Sequence, residues 1–204
     1  MDSTTSVRRF DEQFVRQLRD GDLALNPFET AALPYLRGRV LDFGCGLGNL
    51  AVSAARRGCA VVALDASHAA IEHLRRTATE QALAIEAAEA DLRAYEIRGE
   101  FDTVVSIGLL MFFDCPTAYA QLEQLKAHLR PGGHAIVNVL VEGTTWLEMF
   151  DPAGHCLFAP GELARRFDGW RILHDEAREF PAADGRVKSF VTVVARRPDA
   201  RAAA

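Results

Sequence analysis

The chain has 204 residues, of which 49% are hydrophobic and 25% charged, and its formal net charge is −5. This length and composition are ordinary for one globular domain with a sizeable core. No apolar run approaches the roughly 20 residues that span a bilayer, and residues 1–20 are charged, unlike a signal peptide. The acidic balance disfavours nucleic acid as the main partner. We expect a cytoplasmic protein that binds a small molecule, with neither a nucleic-acid nor a membrane partner; the oligomeric state stays open.

The cysteines and histidines give no metal or redox motif. The four cysteines are widely spaced and form no C-x-x-C pair: Cys45, Cys59, Cys115 and Cys156. This spacing disfavours a zinc ribbon and a thioredoxin-like centre, and it indicates packing roles for most of them. His68 and His73 are five residues apart on a predicted helix, so they point in poorly matched directions for a shared metal. We predict no metal site.

Residues 1–37 predict an N-terminal helical cap that belongs to the same domain as the rest. Residues 7–20 carry apolar positions at helical spacing, and a second short helix is expected over residues 27–36.

The segment that follows the cap has the features of a nucleotide-cofactor site. An apolar strand reaches Asp42 and runs into three alternating glycines: Gly44, Gly46 and Gly48. Glycine lets the backbone turn sharply against a ligand, and the N–H groups of the next helix favour polar or anionic groups. Asp65 closes the next apolar run about 20 residues later, where a carboxylate can accept both ribose hydroxyls of an adenosine. The glycines, with Ala51, also fit a weak dinucleotide fingerprint, so a nicotinamide-dependent reductase is an alternative.

Strands and helices alternate through residues 38–141. The predicted elements are strand 39–43, helix 47–57, strand 60–65, helix 67–81, strand 83–89, strand 101–107, helix 116–129 and strand 133–141. Alternation with near-continuous apolar strands predicts a parallel sheet covered by helices on both faces.

The last third changes character. After a short helix near residues 160–167, two strand-like runs, 170–179 and 187–197, flank Asp184-Gly185, a strong hairpin signal. The domain is expected to span residues 38–197, and residues 198–204 are expected to form a frayed tail.

The cofactor motifs continue in a recognisable order. Asp91 closes a third segment, residues 101–106 form a fourth strand, and Leu129-Arg130-Pro131-Gly132-Gly133 precedes a fifth. In order and spacing, residues 39–141 resemble the successive motifs of class I methyltransferases. The resemblance implies an α/β fold: a single-domain, Rossmann-like three-layer sandwich with a seven-stranded, mostly parallel sheet and an antiparallel C-terminal strand. It also implies an S-adenosylmethionine-dependent methyltransferase whose cofactor leaves as S-adenosylhomocysteine.

The resemblance assigns roles to individual residues. Asp65 would hold the ribose, Asp91 with the Leu92 backbone would contact the adenine amino edge, and Asp42 would lie near the cofactor ammonium or order the loop. The glycines would line the methionine and ribose portion, and the end of the fourth strand would lie beside the reactive methyl. The full predicted cofactor set is Asp42, Gly44, Cys45, Gly46, Gly48, Asp65, Ala66, Asp91, Leu92, Ser106 and Ile107.

Three later segments narrow the resemblance. Leu110-Met111-Phe112-Phe113, the run from Gly161 to Trp170 and the ending from Phe190 to Arg197 resemble the tellurite-resistance (TehB-like) methyltransferase family. Members of that family methylate tellurium and selenium oxyanions or related small chalcogen compounds, so the resemblance implies a chalcogen oxyanion or a thiol as acceptor. One departure is that Glu179-Phe180-Pro181 replaces the family's His-Arg pair. Arg186, after the turn, is then the residue predicted to orient an anionic acceptor.

Alternatives for the acceptor and for the activity stay open. A chalcogen lone pair or a thiolate attacks a methyl group without a base, whereas an amine or hydroxyl acceptor needs one. The candidate bases are Glu142, Glu148 and Glu179. The aromatic residues predicted to wall the acceptor pocket are Phe28, Phe112, Phe113 and Trp146. A non-catalytic S-adenosylmethionine-binding module is a further alternative.

Overall fold

The fold is a single seven-stranded sheet with helices on both faces. A computed structural model describes residues 5–151 and 154–200. The strands are β1 (Arg39–Phe43), β2 (Ala60–Asp65), β3 (Ile85–Glu89), β4 (Phe101–Ile107), β5 (Leu129–Leu140), β6 (Arg171–Pro181) and β7 (Val187–Arg196). Their order across the sheet is β3-β2-β1-β4-β5-β7-β6. β1 to β5 are parallel, and β7 is antiparallel to both of its neighbours.

Six helices accompany the sheet in the described ranges. They are α1 (Thr5–Asp20), α2 (Pro27–Ala32), α3 (Asn49–Ala55), α4 (His68–Glu80), α5 (Cys115–Ala127) and α6 (Glu162–Arg165), with short 3-10 turns at Leu33–Tyr35, Leu110–Phe112 and Ala183–Gly185. None of these helices is long and apolar enough to cross a membrane.

Two hydrophobic cores lie on opposite faces of the sheet. One joins residues of α5 and α6 to the strands and contains the fully buried rings of Phe43, Phe101, Phe158 and Phe167. The other joins α2, α3 and α4 to the opposite face of β1, β2, β4 and β5. The sheet is buried on both sides, which explains why its central strands are almost continuously apolar.

The predicted fold class is confirmed, with small differences at element boundaries. Helix α3 starts two residues later than predicted, because Gly48 precedes it with a positive φ of 77°. Strand β5 starts at Leu129 instead of residue 133: Phe101 pairs with Leu129, and the register then shifts so that Thr103 pairs with His134. The proline and glycines of this stretch predict a turn. Leu129, the first residue of β5, is nevertheless part of the sheet because it pairs with Phe101 of β4.

The Asp-Gly signal marks the hairpin between β6 and β7. Asp184 and Gly185 have positive φ values of 58° and 71°, and the strands pair from Pro181 opposite Val187 onwards. The turn therefore places two residues in the left-handed region, as the Asp-Gly signal requires.

The N-terminal cap consists of two helices that contact different parts of the domain. Helix α1 packs against α4, whereas Ala32 of α2 belongs to the core that covers β1. Asn26 begins α2 with a capping box, since its side chain accepts hydrogen bonds from the Phe28 and Glu29 amides and its own amide donates to the Glu29 carboxylate. The division into a cap of residues 1–37, a domain of residues 38–197 and a tail stays a prediction. Of the tail, residues 201–204 lie outside the described residues.

The packing role indicated for the cysteines is wrong for two of them. Cys115 and Cys156 form a disulfide, with their Cα atoms 4.7 Å apart, whereas Cys45 and Cys59 are free and buried. The two partners are separated by 41 positions, and they meet because the chain after β5 returns to the start of α5. Spacing along the sequence carries no signal for such a return.

Candidate active site

The loop between β1 and α3 is held in a shape that requires glycine. Gly44, Gly46 and Gly48 have φ values of +88°, +51° and +77°, in the region that favours residues without a Cβ. A Cβ on Gly44 would lie 2.9 Å from the Leu109 side chain, and one on Gly48 would lie 2.5 Å from Leu74. The loop therefore packs closely on both sides, and its backbone forms the floor of the site.

Asp65, at the end of β2, ties this loop to the neighbouring strand. One carboxylate oxygen accepts a hydrogen bond from the Gly46 amide at 2.8 Å, and the other accepts from the Ser67 amide at 2.9 Å. Burial raises the pKa of Asp65, while these amide donors act in the opposite direction. Each carboxylate oxygen has further lone pairs, so Asp65 can still accept hydrogen bonds from a bound diol.

Ser67 extends this network to the N-terminal helix. Its hydroxyl donates to the Asp11 carboxylate of α1 and accepts from the Ala70 amide at 3.1 Å, which caps α4. Helix α1 is thereby connected to the same strand end that carries Asp65.

Asp91 and Asp42, the other two predicted acids, lie in different environments. Arg93 holds the Asp91 carboxylate with two side-chain hydrogen bonds of 2.9 and 2.7 Å, which lower the pKa of Asp91. Asp42 is only 4% exposed, and its Oδ2 has no hydrogen-bond partner among the described residues. Burial, together with the negative charges of Glu29 and Asp65, raises the pKa of Asp42 to about 8. An unpaired buried oxygen of this kind is suited to accept a hydrogen bond from a cationic ligand group.

The end of β4 provides the opposite side of the loop. The Ser106 side chain is fully buried, and its Oγ likewise has no partner in the described part of the chain. Ile107 packs against the core on the α3 face. Beyond them, Gly108 donates its amide to the Asn138 carbonyl at 3.0 Å, which closes the strand beside the cavity.

These strand ends border a cavity of about 520 Å³. Seven predicted residues line it: Gly44, Asp65, Ala66, Asp91, Leu92, Phe112 and Phe113. The lining that sequence analysis missed comprises Val7, Phe10, Phe14, Ser67, Glu89, Ala90, Arg93, Gly108, Leu109, Asp114, Asp151 and Gly154. Glu89 could have been predicted, because it is an acid at the end of a parallel strand, as Asp65 is. The residues of α1 could not, because the sequence shows only their helical periodicity and not where the helix packs.

Aromatic rings from α1 cover the cavity. The Phe14 ring lies 3.2 Å from the position that a Cβ on Gly46 would take. Phe10 packs edge-on against Phe112, with ring centroids 5.0 Å apart. The acidic strand ends therefore face a largely apolar roof.

The remaining predicted residues do not line this cavity. Cys45 is buried, and burial raises the pKa of its thiol well above the usual value, so it stays protonated. Phe28 packs on Phe180 and Phe190 with ring centroids 5.6 and 4.8 Å apart. Trp146 lies below the Lys188 ammonium at 4.0 Å. These aromatic side chains find partners near the final hairpin, and composition alone gives no way to distinguish them from Phe112 and Phe113.

Arg186, the predicted acceptor-orienting residue, is engaged by protein carboxylates. Its guanidinium donates to Glu148 at 2.9 Å and to Asp184 at 3.1 Å. An anionic ligand would have to compete with both of them. Of the candidate bases, Glu148 is therefore already paired, and Glu179 accepts a hydrogen bond from the Ser189 hydroxyl at 3.1 Å.

The residues present fit an adenosyl cofactor that carries an amino-acid group. A Cβ would fill the glycine cradle, Asp65 has free acceptor capacity at the end of β2, and Asp42 has an unpaired oxygen beside the loop. Within the described ranges, no group of three or more His, Cys, Asp or Glu residues is arranged to hold a metal ion.

Comparison with known proteins agrees with this geometry. Residues 40–133 match the family described as "Methyltransferase domain". Over these residues the chain resembles a class I methyltransferase domain, and over most of its length it is similar to TehB. S-adenosylmethionine is the cofactor of this class. The TehB of Haemophilus influenzae, described as a probable S-adenosyl-L-methionine-dependent methyltransferase, is 27% identical over 166 residues, which cover 78% of this chain and 57% of that protein. Hemagglutinin 1 of Eikenella corrodens is 27% identical over 170 residues, covering 78% and 55%.

Solved structures show the same fold. The crystal structure of Haemophilus influenzae TehB superposes with a TM-score of 0.73 at 23% identity, covering 85% of this chain and 63% of that one. The N-methyltransferase NodS of Bradyrhizobium japonicum, solved with S-adenosylhomocysteine, gives a TM-score of 0.69 at 20% identity, covering 93% and 99%. The chain spans slightly more than half of the length of the two curated relatives.

The clash at Gly48 leads to a prediction with an internal control. Gly58 has a similar φ of +89° but nothing within 4 Å of a Cβ, so Gly58→Ala should cost only the backbone strain, about 1–2 kcal/mol. Gly48→Ala should cost about 1–3 kcal/mol more because of the contact with Leu74. Chemical denaturation measures both values. Equal losses for the two variants would contradict the packing described for the loop.

The raised pKa of Asp42 predicts a pH dependence of stability. Between about pH 4 and pH 8 the unfolded chain releases this proton while the folded protein keeps it, so Asp42 lowers stability progressively as pH rises. Asp42→Asn should therefore lose less stability between about pH 5 and pH 8 than the unmodified protein loses. Denaturation midpoints at the two pH values test this. The same pH dependence in both proteins would mean that the Asp42 carboxyl ionises normally.

Proposed function

We propose that this chain transfers a methyl group from S-adenosylmethionine to a small molecule bound in the 520 Å³ cavity. The observation that carries the proposal is the glycine loop joined to Asp65 at the cavity edge. In an open parallel sheet this edge, at the carboxyl ends of the strands, is where ligands bind.

The residues proposed to hold the cofactor follow from their positions. Asp65 would accept the ribose hydroxyls, and the Leu92 backbone with Asp91 would contact adenine. Asp42 and the glycine loop would hold the amino-acid portion, beside the backbone of Ser106 and Ile107. When bound, the cofactor supplies an electrophilic methyl group on a sulfonium. The protein then has to align an acceptor and exclude water, and the rings of α1 that cover the cavity are suited to the second task.

We propose a small chalcogen or thiol compound as the acceptor class. The likeness to TehB supports it, and such a nucleophile needs no protein base. A thiol suits the cavity better than an oxyanion does, because Asp65, Glu89 and Asp114 line the cavity and Arg93 is already paired with Asp91. A thiol has a pKa of about 8.5, so it can enter the cavity neutral; its proton then passes to water, and the thiolate attacks the methyl group.

A small amine is the second candidate acceptor. The carboxylates that line the cavity favour it, since they attract a cation and raise its local concentration. NodS, which shares the fold, is described as an N-methyltransferase. The proposed setting for either acceptor is the cytoplasm.

Removal of the Asp65 carboxylate tests cofactor binding. Asp65→Ala should weaken S-adenosylmethionine binding by about 1.5–3 kcal/mol, the scale of a hydrogen bond to a charged group. Calorimetric titration measures this, with Glu86→Ala, an exposed change on β3, as the control that should bind normally. Unchanged affinity in a folded Asp65→Ala protein would reject the ribose role, and tighter binding of NAD would reject the proposed function.

A panel of acceptors tests the substrate class. Thiols, selenium and tellurium oxyanions and amines are incubated with the protein and S-adenosylmethionine, and products are detected by mass spectrometry. We expect methylated thiol or chalcogen products at a rate that follows acceptor ionisation. Arg186→Met tests the predicted orienting role. Because the guanidinium is held by Glu148 and Asp184 and does not line the cavity, KM for an anionic acceptor should rise only if that acceptor displaces these carboxylates. Methylation of amines alone, abolished by loss of Glu142, Glu148 or Glu179, would replace the chalcogen proposal with the amine one.

A further inference from the structure

The Cys115–Cys156 disulfide joins two parts of the cavity wall. Cys115 is the first residue of α5, and Cys156 lies in the segment between β5 and α6. Their near neighbours Asp114 and Gly154 both line the cavity, and a Cβ on Gly154 would lie 3.5 Å from the Asp114 Cβ. The covalent bond therefore keeps two cavity-lining residues in contact.

A stack of rings connects the same bond to the roof of the cavity. His155, next to Cys156, stacks on Phe150 with centroids 4.9 Å apart and planes at 15°. Phe150 packs on Phe112 at 5.0 Å, and Phe112 lines the cavity and contacts Phe10 of α1. A shift of the Cys156 segment would thus reach the aromatic wall.

Backbone hydrogen bonds also hold the residues around Cys156. The Cys156 amide donates to the Met111 carbonyl at 3.0 Å. Phe158 donates its amide to Leu140 at 3.2 Å and accepts from the Glu142 amide at 2.9 Å. Between Glu142 and Phe158, the described residues contain neither helix nor strand. The disulfide adds a covalent link between Cys156 and the start of α5.

The two cysteine residues differ in exposure. Cys156 is fully buried in the core, whereas Cys115 is partly exposed at the start of its helix. A thiolate from outside would reach the Cys115 sulfur first. Cys45 and Cys59, which are buried and unpaired, are not part of this wall.

We propose that Cys115–Cys156 is a reversible redox modification site that controls the order of the cavity wall, with a dithiol as its reductant. One thiolate of the dithiol bonds to the Cys115 sulfur, the bond between the cysteines breaks, and its electron pair leaves on the Cys156 sulfur, which takes up a proton. The second thiolate then attacks the first sulfur of the reagent and releases Cys115 as a thiol. The protein gains two electrons and two protons, and the dithiol becomes a cyclic disulfide.

Reduction releases the Gly154–Cys156 segment from α5. The glycine loop, which is hydrogen-bonded to Asp65, stays in place. The cavity then has to be ordered by its ligand, which weakens binding. The oxidised protein is therefore the form with the preorganised cavity. In a reducing compartment a disulfide is usually transient and regulatory, which is the behaviour proposed for this one.

Hydrogen exchange on the full chain tests the proposal without relying on methyl transfer. Excess dithiothreitol is added to the folded protein, and thiol alkylation followed by mass spectrometry verifies that Cys115 and Cys156 are reduced. Exchange at Met111–Phe113 and at His155–Phe158 should rise by about tenfold or more, with little change in β1 and β2. The dissociation constant for S-adenosylmethionine, measured by calorimetry, should rise by about fivefold.

Matched variants separate the disulfide from other thiol effects. Cys59→Ala keeps the disulfide and should respond to dithiothreitol as the unmodified protein does. The Cys115→Ala, Cys156→Ala double variant should show the rapid exchange with or without the reductant; if it does not fold, reduction of the unmodified protein remains decisive. The proposal is overturned if the folded protein resists reduction, if reduction leaves exchange in both segments unchanged, or if exchange rises equally in β1 and β2. Absence of cofactor binding in the oxidised protein would instead reject the proposed function.

Discussion

The hydrogen bond from the Gly46 amide to the Asp65 carboxylate is the contact on which the site depends. It joins the glycine loop after β1 to the end of β2, at 2.8 Å, and it fixes the loop in backbone conformations that only glycine adopts easily. Through Ser67 the same carboxylate is linked to Asp11 of α1. The floor of the cavity, the end of the neighbouring strand and the covering helix are thus held in one network.

This arrangement places carboxyl groups where water is scarce. Asp42 and Asp65 are both buried beside the loop, and burial raises the pKa of each. Asp65 is partly compensated by two amide donors, whereas Asp42 has an oxygen without a partner among the described residues. A cationic group bound next to Asp42 would relieve this cost, because a charged hydrogen bond would replace an unsatisfied acceptor. Part of the binding free energy would then come from removing the cost of the unpaired Asp42 oxygen that the ligand-free protein carries.

The features that sequence reasoning could predict are those set by local chemistry. Alternating glycines after a buried strand, and acids at strand ends, have few structural solutions, so the sheet, the loop and the position of Asp65 follow from the sequence. The cysteine pairing and the placement of Phe28 do not, because they depend on where distant segments return. Phe28 and Phe112 are the same residue type, yet one packs on Phe180 and the other lines the cavity. Only the path of the chain between elements distinguishes them.

The position of α1 has a consequence for the speed of turnover. Its rings cover the cavity, and it packs on α4. Where a ligand enters and leaves past this helix, loading and unloading would share one path. The Asp11–Ser67 contact would break at each passage. The residence time of S-adenosylhomocysteine would then depend on how strongly α1 is held against the domain. Product release, and not methyl transfer, would limit the rate of turnover.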